Sequence, residues 1–106
     1  MADLAGLLGM AARAGCVVSG EDACIRAVRA GKARAVVIAS DIGGNGAKKL
    51  RDKCSYYHVP TVAGPEKAQL GKAVGKEVRT AVGIISNQWA QQIVRAATES
   101  SGGDGI

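Results

Sequence analysis

Ser19-Gly20-Glu21-Asp22-Ala23-Cys24-Ile25-Arg26-Ala27-Val28-Arg29-Ala30-Gly31 reads as one complete helix with its own start and stop signals. Ser19 is placed to cap it, Asp22 completes a capping box three residues on, and Gly31 offers the left-handed stop. Gly20 lets the backbone approach a ligand closely where the first free helical N–H groups point outward. Such an end suits an anion, and a phosphate backbone is a common large one. Arg26 and Arg29 follow on nearby turns, so the helix reads as a platform for nucleic acid. The plain alternative is an ordinary surface helix, with Asp22 and Arg26 as an i,i+4 pair worth only ~0.3–0.5 kcal/mol.

Outward from this helix, the chain alternates helices with short apolar strands. On the N-terminal side, Leu4, Leu7, Leu8 and Ala11 fall at helical spacing within residues 3–14, and Gly15 ends that helix. Gly6 and Gly9 weaken it but let it lie close against a sheet. Cys16-Val17-Val18 is a short strand leading into the central helix. On the C-terminal side, Ala35-Val36-Val37-Ile38-Ala39 is an uninterrupted apolar run, as expected of a strand covered on both faces. Residues 42–46 (Ile42-Gly43-Gly44-Asn45-Gly46) read as a flexible loop, and Ala47–Tyr57 as a third helix with Ala47, Leu50, Cys54 and Tyr57 on one face. Val59–Val62 is a strand that Pro60 assigns to its beginning or to an edge. Pro65 is expected to start a fourth helix to about Lys72. Thr80–Ile85 is a second buried strand, and Asn87 is expected to cap a last helix that buries Trp89, Ile93 and Ala96. The alternation predicts an α/β fold with helices on both faces of a sheet. One domain over residues 1–97 and a disordered tail over 98–106 are expected.

Composition narrows the function. The 106 residues contain no Phe, one Trp and two Tyr, so the aromatic rows that stack bases on many RNA-binding sheets are missing. The net charge is +5, and between Arg26 and Lys53 eight basic residues face two acidic ones. This quarter of the chain therefore carries the whole excess, either as a solvated face or as an electrostatic footprint for nucleic acid. The basic residues do not lie opposite a bulky apolar face, which argues against a membrane surface. Cys16, Cys24 and Cys54 are odd in number and lack CxxC spacing, so neither disulfides nor a zinc site is expected. No signal peptide or long apolar run is evident, and a cytoplasmic protein with free thiols is expected.

Catalytic groups are few. His58 is the single histidine and reads as a helix-end or packing residue. A Cys54–His58 pair at i and i+4 has no third member to orient it. Gly43-Gly44-Asn45-Gly46 lacks both the Gly-Lys-Ser/Thr ending of a P-loop and a GxGxxG pattern. Asp41, at the end of a buried strand, is placed to cap a loop or to orient a ligand.

One ordered series decides between these readings. It comprises Leu7-Leu8-Gly9-Met10-Ala11-Ala12-Arg13-Ala14-Gly15, Ser19-Gly20-Glu21 and Arg26-Ala27-Val28-Arg29-Ala30-Gly31-Lys32-Ala33. Then come Val36-Val37-Ile38-Ala39-Ser40-Asp41, Cys54, Val59-Pro60 and Leu70-Gly71-Lys72-Ala73-Val74-Gly75-Lys76. In order and spacing this resembles the ribosomal protein L7Ae/L30e family, most closely its small bacterial YlxQ-type branch, over about residues 4–97. The resemblance implies a three-layer α/β/α sandwich around a four-stranded mixed sheet. It also implies a non-enzymatic RNA-binding protein that recognises a kink-turn or similar internal loop, associated with the ribosome.

In that family the glycine and polar residues opening the second helix meet sheared G·A pairs and the kinked backbone. Gly20 matches the family glycine, and Arg26 a basic residue that is usually lysine. Asp22 and Ala23 stand where the family's kink-turn binders carry Asn and Glu; Asp only accepts, and Ala offers no polar side chain. The second family contact maps onto Gly75-Lys76-Glu77-Val78-Arg79, with Val78 against an extruded base and Arg79 at phosphate. The expected RNA-contacting set is Gly20, Glu21, Asp22, Arg26, Arg29, Lys32, Asp41, Lys76, Val78 and Arg79. Structured RNA is the expected partner of a monomer that needs no cofactor, metal or membrane. The competing expectation is a protein-interaction module on the same fold.

Overall fold

The computed structural model describes residues 3–104, and the side chains of residues 3–98. Five helices and four strands alternate: α1 (Leu4–Arg13), β1 (Val17–Ser19), α2 (Glu21–Arg29), β2 (Ala35–Ile38), α3 (Gly44–Tyr56), β3 (Thr61–Ala63), α4 (Lys67–Ala73), β4 (Ala81–Ile84) and α5 (Asn87–Asp104). The strands form one mixed sheet in the order β1-β4-β2-β3. β4 runs antiparallel to both β1 and β2, whereas β2 and β3 are parallel. The first three strands therefore share one direction.

Side-chain alternation along the central strands divides the interior in two. Ala35, Val37, Val82 and Ile84 turn to one face, where α1, α4 and α5 bring Leu7, Leu8, Leu70 and Ile93. Val36, Ile38 and Ala81 turn to the other, against Cys24, Ile25 and Val28 of α2 and Leu50 and Cys54 of α3. This is the expected three-layer α/β/α sandwich. Both central strands are buried along their whole length, as apolar runs of Val, Ile and Ala require. Small residues set the layer spacing. A Cβ on Gly83 would lie 3.4 Å from the Cys24 sulfur and 3.0 Å from Val18 Cγ2.

Several boundaries differ from the sequence reading, each for a local reason. Gly9 admits a helix rather than the sheet, since a Cβ there would lie 3.2 Å from the Ala73 carbonyl oxygen of α4. α3 begins at Gly44, inside the expected loop, because Ala47 N–H already donates to the Gly43 carbonyl at 2.9 Å. Pro65 precedes α4 instead of opening it; Glu66 holds the N-cap position, and the Pro65 carbonyl accepts from Ser40 N–H. Ser86 rather than Asn87 caps α5, accepting at Oγ from Trp89 N–H (3.4 Å), because the first helical bond runs from Ala90 N–H to the Ser86 carbonyl. α5 continues to Asp104, past the boundary expected at residue 97, since no proline interrupts it; residues 105 and 106 lie outside the described residues. Pro60 does precede an edge strand, β3. Among the described residues no helix is long and apolar enough to cross a membrane.

Candidate nucleic-acid interface

Because β1, β2 and β3 run in one direction, the helices that follow them all begin at one end of the sheet. α2 starts there after Gly20, α3 after Gly43 and α4 after Glu66. β4 also enters from this end, so the segment before it reaches the same place.

Gly20 sits at the N-cap position of α2 with φ 101° and ψ 152°, a conformation that L side chains rarely adopt. Its N–H donates to the Ala81 carbonyl at 2.8 Å, which ties the turn to β4. A Cβ built here would meet nothing within 4 Å, so the space in front of the helix is open. No side chain caps α2. The expected Ser19 cap and its capping box are therefore corrected: Ser19 is the last residue of β1, paired with Val82, and lies one position too early. The first-turn N–H groups of α2 stay free of side-chain partners, leaving the positive end of the helix uncovered.

Ser19 has a different partner. Its Oγ accepts from Arg79 Nε at 3.2 Å, sixty residues away in sequence, while Arg79 Nη1 donates to the Val78 carbonyl at 2.8 Å. The guanidinium thus clips the segment before β4 to the β1–α2 junction. Val78, next to the clip in the chain, is 51% exposed. Gly71 supports this segment from below. A methyl there would fall on the Glu77 carbonyl, and the Gly71 carbonyl accepts from Lys76 N–H at 2.8 Å. Gly75, at φ 76°, makes the turn into it.

The acidic residues of this end are divided between two tasks. Glu21 turns toward α3, where Lys49 Nζ lies 4.0 Å from Oε1 and a Cβ on Gly46 would come within 2.9 Å of Oε2. Asp41 accepts from Lys67 N–H at 2.7 Å and so caps α4. That is the capping role, of the two open to it. Asp22 is exposed on the first turn of α2.

The remaining expected residues do not all converge. Arg26 and Lys32 line one shallow groove with Val18, Ala23, Ala27 and Ala30. Arg29 is exposed at the far end of α2, ~12 Å along the axis from Glu21. The Arg79–Ser19 bond brings Val78 and Arg79 to the turn that holds Gly20, and Lys76 lies in the same segment before β4; Arg29, at the far end of α2, stands apart. The sequence reading did not pair Ser19 with Arg79 or Lys49 with Glu21, and it gave Gly71 no supporting role beneath Glu77. Only Gly71 left a trace there, as an isolated glycine inside a helical pattern.

The thiols are packing groups. Burial, together with the neighbouring Cys54 thiol, pushes Cys24 from 9.0 up to about 12, against the opposing pull of a hydrogen bond with the Gly83 backbone. Burial raises Cys54 as well. His58 is exposed at φ 58°, just past the C-cap of α3, which makes it a helix-end residue. Among the described residues no group of His, Cys, Asp and Glu is placed to hold a metal.

The chain is 42% identical over 88 residues to the RNA-binding protein YlxQ of Bacillus subtilis, covering 83% of this chain and 88% of that protein. It is 38% identical over 86 residues to the RNA-binding protein YlxQ of Enterococcus faecium, covering 81% and 82%. A solved structure of a protein with unknown function from Bacillus halodurans superposes with a TM-score of 0.89 at 33% identity, over 93% of this chain and all of that one. The fold is also that of a 15.5 kD RNA-binding protein of Giardia lamblia, with a TM-score of 0.77 at 24% identity over 90% of this chain and 84% of that one. Residues 2–94 match the family model, and the chain belongs to the ribosomal protein L7Ae/L30e/S12e/Gadd45 family.

Proposed function

We propose that this protein is a non-enzymatic RNA-binding protein that engages a kink-turn or similar internal loop at the end of the sheet where α2 begins. The observation that carries this reading is the Arg79–Ser19 hydrogen bond, which joins the Val78 segment to the open end of α2. One surface then offers free helical N–H groups for a phosphate, an exposed aliphatic side chain for an unstacked base, and a guanidinium between them. The names of the two bacterial relatives support RNA as the partner. Gly20, Glu21, Asp22, Lys76, Val78 and Arg79 form the contact surface, and Arg26, Arg29 and Lys32 extend it along α2. Asp41 acts indirectly through α4. The protein works as a monomer, and the RNA it meets is ribosomal.

The test is a titration against a kink-turn duplex and a matched straight duplex in magnesium at several salt concentrations. Tighter binding of the kink-turn, lost in Gly20→Val, is the expected result. Equal and salt-sensitive binding of both duplexes would make the protein a general RNA binder. Binding of neither would leave a protein-interaction module.

A further inference from the structure

We propose that the outer face of α3 is a second RNA contact, which takes a single-stranded segment flanking the structured element held at the α2 end; this rests on the RNA-binding reading above. The argument begins with charge. The end of the sheet described above, α3 aside, carries Glu21, Asp22, Asp41, Glu66 and Glu77 against Arg26, Lys67, Lys76 and Arg79. Five acidic and four basic groups leave no net attraction for a polyanion. α3 supplies what that end lacks: Lys48, Lys49, Arg51 and Lys53 against the single Asp52.

The second observation is where the aromatic rings go. The chain has two tyrosines and one tryptophan, and Trp89 packs half-buried against the α1/α4/α5 core. Both tyrosines instead stand at the end of the basic helix. Tyr56 is 76% exposed and Tyr57 39%. The two rings meet edge to face, with centroids 4.9 Å apart and planes at 78°. Lys49, Lys53 and Tyr56 follow at i, i+4 and i+7, on one stripe of the helix. Cations along a backbone track with a ring for a base is the chemistry of single-strand binding, because every base has a stacking face.

The third observation is rigidity. The helix ends tightly, with Tyr57 N–H donating to Lys53, His58 N–H to Ser55 and Val59 N–H to Cys54, while His58 takes the left-handed conformation. The backbone that carries the tyrosine pair is fixed before any ligand arrives, so binding need order only the side chains. The track also joins the first site, since Lys49 lies against Glu21 at the start of α2.

The experiment uses the full chain and two RNAs: a blunt kink-turn duplex, and the same duplex carrying a ten-uridine tail at one end or the other. The tail is expected to tighten binding about tenfold in the parent protein. Tyr56→Ala removes that gain while leaving the blunt duplex and the melting temperature unchanged, and Tyr56→Phe keeps it. The double variant Lys48→Gln, Lys53→Gln reduces the gain and flattens its salt dependence. A tail that adds nothing, or a gain that survives Tyr56→Ala, overturns the inference and makes α3 a protein-facing or merely solvated surface. The kink-turn reading stands in that case, provided Gly20→Val still abolishes binding to the blunt duplex. Binding of no RNA by the parent sinks both.

Discussion

Gly20 is the residue on which the candidate site turns, and its φ of 101° makes the point testable. Gly20→Ala has space around it, so its cost comes from backbone strain alone, about 1–2 kcal/mol in urea unfolding. RNA affinity is expected to fall further than stability does, because relief of that strain would rotate the N–H groups at the start of α2. Cys24 provides a second test at this scale. Its thiol keeps its proton to about pH 12 in the folded protein, whereas the unfolded chain releases it near the ordinary 9.0. The stability from this difference is complete below pH 9 and declines as pH rises toward 12, by up to about 1.4 kcal/mol per pH unit. Urea midpoints at pH 8 and pH 10.5 check it, and Cys24→Ala should show a shallower decline than the parent.

At the scale of elements, α4 is a short helix whose two ends serve the site. Asp41→Ala removes its remote cap and is expected to cost about 0.5–2 kcal/mol in thermal or urea unfolding. Gly71→Ala forces the Glu77 backbone away, and with it Val78 and Arg79. We expect weaker RNA binding in that variant even where it remains folded, as judged by its circular dichroism. The elements were largely legible in the sequence. Ala35–Ala39 and Thr80–Ile85 are apolar without interruption, and Leu4, Leu7, Leu8 and Ala11 recur at helical spacing. Caps were less legible, because a serine that ends a strand and one that starts a helix look alike in a string of letters. Ser19 does the first, where a cap was expected, and Ser86 does the second, where Asn87 was expected to. Most of the site was not legible from local pattern at all. Arg79 meets Ser19 across sixty residues, and Gly71 supports Glu77 through a fold-back that no periodicity records. The ordered series of family motifs pointed to Val78 and Arg79; the contacts that position them needed the fold.

Over the whole molecule, the basic excess is concentrated on the α2–α3 layer, which makes salt the natural probe. Each phosphate contact contributes about 0.9 or less to the slope of log affinity against log salt. Arg26→Ala is expected to weaken binding and to reduce that slope by about one, measured by titration across 50–300 mM salt, roughly the range in which such slopes are resolved. The strand order carries a consequence in time as well as in space. Among the described residues β1 has its only strand neighbour in β4, the last strand to be made, sixty-odd residues later. A growing chain can pair β2 with β3 and pack α2 and α3 over them long before then. It cannot close the Gly20 turn, whose N–H waits for the Ala81 carbonyl, or fasten Arg79 to Ser19. Competence to bind therefore arrives abruptly, with the final strand, and a half-made chain offers RNA no finished grip.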